Sequence, residues 1–153
     1  MAPLYDPANI ELETSVGHYL SRARQALVER MDQALAPLGL TAQQIGVMLL
    51  LARGEAGTPL ELSRRLSYDS GSMTRMLDRL EKKGLLERRR SASDRRVIEL
   101  GLTGPGRAAA DALPGLMAGE LNAQLAGFSA DELQTMTALL QRFIANAPLP
   151  AGS

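Results

Sequence analysis

The chain has 153 residues, 45% of them apolar, with 17 basic and 17 acidic side chains, one histidine and no cysteine. That suits one domain, or a domain with an extension, and a buried core; the lack of cysteine excludes disulfides, thiolate metal sites and thiol redox sensing, and a lone His18 argues against a histidine metal site. The run MAPLYDPANIELE has no basic stretch leading into an apolar one, and no segment approaches the ~20 apolar residues of a membrane span, so a cytoplasmic protein with no membrane partner is expected.

From about residue 10, Leu12, Val16, Tyr19, Leu20, Ala23, Leu27, Met31 and Leu35 recur at helical spacing until Pro37 and Gly39, which predicts one long amphipathic helix. TAQQ at 41–44 reads as a capping box opening an apolar helix from Ile45 to Ala52. TPLE at 58–61 repeats the device, with Thr58 as N-cap, Pro59 in the first turn and Glu61 reaching back, for a short helix ending near Leu66. Asp69 or Ser70 then caps GSMTRMLDRLEKK, whose Met73, Met76, Leu77 and Leu80 form a buried stripe before Gly84. Two short helices joined by a tight turn are a helix-turn-helix.

LLERRR and RVIELGL predict two strands about a SASD turn, with Ile98, Leu100 and Leu102 on one face. Thr103 caps a further long helix in which Pro114 and Gly115 predict a kink or break. SADE at 129–132 is a third capping box, and Leu133, Met136, Leu139, Leu140 and Phe143 form the stripe of the last helix. The closing NAPLPAGS reads as a flexible tail. The expected fold is mainly α with a small β-wing: a winged helix-turn-helix domain over 41–103, long helices for dimerisation over 10–38 and 104–146, and a tail over 147–153.

Charge is not spread evenly. Between Arg64 and Arg96 lie eleven basic residues against five acidic ones, a net +6 that the rest of the chain cancels. Such a basic middle is the electrostatic footprint of a nucleic-acid reader; a merely solvated face is the competing reading. No Gly-rich phosphate loop, metal pattern or Ser/His/Asp spacing is present, so neither an enzyme nor a cofactor is expected.

The segment SMTRMLDRLEKKGLLERRRSASDRRVIELGLTGPGRA resembles the recognition helix, wing and following helix of the multiple-antibiotic-resistance regulator (MarR) family of bacterial transcription factors. Its wing pattern appears as Asp94, Arg96, Leu102 and Thr103, and the element order is similar over roughly residues 10–146. The resemblance implies a ligand-responsive regulator, a repressor that binds a pseudo-palindromic operator in double-stranded DNA as a homodimer. It also implies that Arg96 enters the minor groove with Asp94 bracing its guanidinium.

The residue chemistry agrees. Short polar side chains at the start of a recognition helix can reach base edges, Gly71 allows close backbone approach, and an arginine can span a guanine bidentately. The expected DNA-facing set is Ser70, Gly71, Ser72, Thr74, Arg75, Arg79, Arg88, Arg90, Asp94, Arg95 and Arg96, although strand alternation prevents all the hairpin arginines from facing one way. Asp78 is expected to pair with a neighbouring arginine. The apolar stripes at both chain ends suit a homodimer whose recognition helices lie ~34 Å apart. The resemblance further implies a small aromatic or lipophilic effector near His18, Tyr19, Arg22 and Met48. The alternative is a winged-helix protein–protein interaction module, which would not need the basic stripe or the Asp94/Arg96 wing.

Overall fold

The computed structural model describes residues 3–147, so the expected tail lies outside the described residues apart from Ala147. The chain forms two compact units, one ending at Ala42 and the other starting at Gln43.

In the first unit α1 spans Val16–Leu35. It starts later than the apolar spacing predicts: Leu12–Thr14 is a 3₁₀ turn, and Ser15 is the N-cap, its side chain accepting from the His18 amide at 3.2 Å. A second orphan amide, that of Val16, donates to the Tyr5 hydroxyl at 2.8 Å. These two acceptors decide the helix start, because the first amides of a helix have no partner within it. The far end tightens into a 3₁₀ turn at Ala36–Leu38 and closes on Gly39 at φ +66°, as the Pro37/Gly39 pair predicts.

The second unit holds α2 (Ile45–Ala52), α3 (Pro59–Leu66), α4 (Ser70–Lys82), β1 (Leu86–Arg90), β2 (Ile98–Leu102), α5 (Gly104–Gln124) and α6 (Ala130–Ala145). The winged helix-turn-helix and residues 104–146 therefore share one unit. The start of α2 departs from expectation: residues 42–44 form a 3₁₀ turn, and the buried Gln44 accepts from Lys83 Nζ at 3.3 Å. The capping boxes at Thr58/Glu61 and Ser129/Glu132 form as the sequence predicts. Backbone amides hold the Glu61 and Glu132 carboxyls below the usual carboxylate range, those of Gly57 and Ser129 contributing most.

Leu62, Met73, Met76, Leu77 and Leu80 are buried between α3, α4 and β1, and each such side chain contributes ~1.5–3 kcal/mol. Helix α2 packs on α3, α5 and β2 through Val47, Met48 and Leu51. The first turn of α5 lies so close to the preceding chain that a Cβ at Gly106 would sit 1.9 Å from the Leu85 carbonyl oxygen. Thr103 holds this junction, its hydroxyl donating to the Gly84 carbonyl at 2.6 Å and accepting from the Gly106 amide at 3.1 Å. Of the kink or break expected at Pro114 and Gly115, no break forms, α5 running through both. The proline forfeits one hydrogen bond, but the buried Ala109, Ala110 and Leu113 hold the preceding turn by packing.

Candidate nucleic-acid interface

Helix α4 is divided along its length. Its stripe of Met73, Met76, Leu77 and Leu80 is 0–2% exposed, while Ser70, Thr74, Arg75, Asp78, Arg79 and Lys82 face outward. Asp69 is the N-cap: Oδ1 accepts from the Ser72 amide at 2.8 Å and Oδ2 from the Ser72 hydroxyl at 2.7 Å. That hydroxyl in turn accepts from Arg75 Nη2 at 3.0 Å. The Ser72 side chain, then its amide, hold the Asp69 carboxyl below its ordinary value, assisted by the Arg75 charge. Thr74 donates its hydroxyl to the Ser70 carbonyl at 2.8 Å.

The strands pair antiparallel, with Leu86 opposite Leu102, Arg88 opposite Leu100 and Arg90 opposite Ile98. Alternation sets Arg88 and Arg90 on one face and Arg89 on the other. Arg88 turns back onto α4, donating Nη2 to Asp78 at 2.7 Å and Nη1 to Glu81, and only a quarter of its side chain is exposed. Burial pulls its pKa down, but the bonds to Asp78 and Glu81 outweigh this and raise it. The expected pairing of Asp78 with an arginine is therefore met by Arg88, across the helix–strand junction. Arg89 pairs with Glu87 on the other face.

The hairpin tip is longer than the SASD turn, because β2 begins at Ile98 and not at Arg96. The Asp94 carbonyl accepts from the Val97 amide at 2.9 Å, and its side chain accepts from the Arg96 amide at 2.9 Å. This local turn competes with the ladder and wins those residues from the strand. Here the Asp94 carboxylate holds the Arg96 backbone amide. The Ser91 amide donates to the Val97 carbonyl at 3.0 Å, closing the loop at its base. Among the described residues, Arg79, Lys82, Arg90, Arg95 and Arg96 make no ion pair. On its other edge the wing is tied down by the Leu100 amide donating to the Gly57 carbonyl at 2.8 Å.

Sequence reasoning missed Glu81 as an Arg88 partner and the Gly57 contact, since neither a helix–strand pairing nor a strand–loop bond leaves a periodic signal. It read Asp69 only as a cap, although the i, i+3, i+6 spacing of Asp69, Ser72 and Arg75 was open to view. Of the effector candidates, His18 is half-buried on α1, Tyr19 and Arg22 are exposed there, and Met48 is fully buried in α2. Among the described residues no group of three or more His, Asp or Glu side chains could hold a metal ion, and no single helix is long and apolar enough to cross a membrane.

A helix pair in tight succession, an outward basic face on the second helix and a charged β-hairpin behind it define a winged helix-turn-helix protein. Comparison with known proteins narrows this further. The MarR family model matches residues 40–98. The multiple antibiotic resistance protein MarR of Escherichia coli is 33% identical over 130 residues, which cover 84% of this chain and 90% of that protein. The chain belongs to the MarR family. Its fold is similar to that of a cysteine-to-serine variant of Escherichia coli MarR complexed with operator DNA, with 35% identity, a TM-score of 0.73 and coverage of 84% and 92% of the two chains. It is also similar to Bordetella bronchiseptica BpsR, whose DNA binding is regulated by 6-hydroxynicotinic acid, with 25% identity, a TM-score of 0.77 and coverage of 92% and 99%.

Proposed function

We propose that this chain is a ligand-responsive transcription regulator of the cytoplasm, a repressor that binds a pseudo-palindromic operator as a homodimer. The observation that carries the reading is the pairing of two basic surfaces: the outward face of α4, with Arg75 and Arg79, and the hairpin tip, with Arg95 and Arg96. Guanidinium groups at such density repel one another, and phosphate relieves that repulsion. A protein–protein module would not need them. Similarity to the operator-bound MarR variant supports the same role.

In this reading α4 enters the major groove with Ser70, Gly71 and Arg75 foremost, while Arg96 reaches the minor groove and Arg90 and Arg95 meet flanking phosphates. Arg88 acts as a brace, coupling the wing to α4 and offsetting half the charge of the two carboxylates that would otherwise confront phosphate. The exposed apolar face of α6 supplies the homodimer contact. The role is one of binding, with no catalytic step. The effector is a small aromatic or lipophilic anion, as the regulation of BpsR suggests, and His18, Tyr19 and Arg22 are the side chains of α1 proposed to meet it.

A salt titration on operator duplex tests the reading. If the dimer neutralises ~6–10 phosphates, affinity drops by roughly 10³–10⁵ between 50 and 200 mM salt. An affinity independent of salt, or no selection of any sequence from genomic fragments, rejects it.

A further inference from the structure

The two short hydroxyls nearest the N-terminus of α4 after Ser70 are already committed within the helix. Thr74 donates to the Ser70 carbonyl at 2.8 Å, and Ser72 donates to Asp69 Oδ2 at 2.7 Å. A serine hydroxyl has one proton. Once that proton points at Asp69, its oxygen can only accept, and the donor it receives is Arg75 Nη2 at 3.0 Å. The guanidinium lies along bare backbone at Gly71, where a Cβ would stand 3.4 Å from Arg75 Nη1 and 3.2 Å from Asp69 Oδ1.

We infer that Asp69, Ser72 and Gly71 form a positioning relay that holds Arg75 ready for one guanine, making this single arginine the main source of base specificity in the first two turns of the recognition helix. The inference rests on the DNA-reading role proposed above and names the base and residues that set its specificity. An exposed arginine loses rotamer freedom when it grips a base edge; one already tethered at a single nitrogen loses less, and keeps its remaining donors for the O6 and N7 of guanine. The relay carries its own charge balance, since the Asp69 carboxylate offsets Arg75 until phosphate and base replace solvent around it. A longer side chain at 71 would press on both ends of the relay.

The experiment is a selection from a random duplex library with the purified full-length chain and its variants Ser72→Ala, Ser72→Thr, Asp69→Asn and Arg75→Ala, each checked for folding by circular dichroism. The Asp69→Asn variant keeps an N-cap acceptor but not the charge, and Ser72→Ala keeps the amide that Asp69 caps. The parent enriches a guanine at one symmetric pair of positions. Ser72→Ala lowers that preference by ~3–10-fold while every other position is unchanged, Asp69→Asn lowers it less, Ser72→Thr restores it, and Arg75→Ala abolishes it. The relay is overturned if Ser72→Ala keeps the parental preference, if preference falls equally at all positions, or if the parent's consensus holds no guanine sensitive to Arg75. A parent that enriches no sequence at all rejects the DNA-reading role itself, which is a separate result from failure of the relay.

Discussion

Helices α4 and α6 carry the same kind of stripe and meet opposite fates. In α4, Met73, Met76, Leu77 and Leu80 are 0–2% exposed, whereas in α6 Leu133, Met136, Leu139, Leu140 and Phe143 are 37–50% exposed. Both helices begin at a capped residue, Asp69 and Ser129, and both present their apolar residues at helical spacing. The difference is the presence of α3 and β1 against α4, while nothing in its own unit covers α6 to the same degree. An amphipathic pattern states that a face must be buried; it does not state by what. The outward faces differ too, because α4 is braced by Arg88 from the wing.

Removal of the exposed face of α6 perturbs the molecule most. Deleting residues 129–153 leaves the winged helix intact but uncouples the two half-site contacts, so operator affinity falls ~10²–10⁴-fold with the loss of bivalency. Sedimentation and footprinting check this; a truncated monomer that protects both half-sites at parental affinity would sink the assignment of α6 to the homodimer. Next in size, Leu77→Ala in α4 opens a cavity and costs ~2–5 kcal/mol of fold stability, while Leu140→Ala in α6 changes that stability by no more than ~0.5 kcal/mol at concentrations where the chain is monomeric. Denaturant titration of both variants at several protein concentrations separates the two, and equal losses for Leu77 and Leu140 would mean that the stripes are equally buried.

A smaller effect belongs to the brace. Arg88→Ala strands Asp78 and Glu81 in a partly exposed position and costs ~1–2 kcal/mol, between the values for surface and buried ion pairs. It weakens binding to all duplexes alike, and fluorescence anisotropy on a panel of single-base changes distinguishes this from loss of a base contact. The smallest effect is that of acid on the caps. Asp69, Glu61 and Glu132 all have folded values below their ordinary 3.8, 4.5 and 4.5. Their contribution is whole above those ordinary values and drains away as pH falls through the lower folded ones. Thermal melts between pH 5 and 2.5 show it as a shallow decline; in Asp69→Asn that decline loses the Asp69 share, and an identical slope in that variant would remove the cap from the account.

Much of the winged helix-turn-helix and of α6 was legible in sequence because the signals are local. Capping boxes at Thr58 and Ser129, the stop at Gly84, the stripe of α4 and the strand pair each depend on residues within a turn or two of one another. Expectation failed where a competing local bond intervened: Ser15 and Tyr5 reset the start of α1, and Asp94 drew Arg96 and Val97 out of β2. At Pro114 the helix is not broken, because packing of Ala109, Ala110 and Leu113 outweighs one missing hydrogen bond.

By itself the sequence determined the elements, their order, the basic middle of the chain and the family to which they point, since periodicity, capping and charge are written in short spacings. Only the tertiary structure decided which arginines are spent and which are free. Arg88 and Arg90 are two residues apart and alike in composition, yet β1 lies against α4 so that Arg88 meets Asp78 and Glu81 while Arg90, at the strand's end, meets no carboxylate among the described residues. That distinction comes from a strand register and a helix–strand contact between residues seven to ten positions apart, and such pairings depend on how the core closes, which no local spacing encodes.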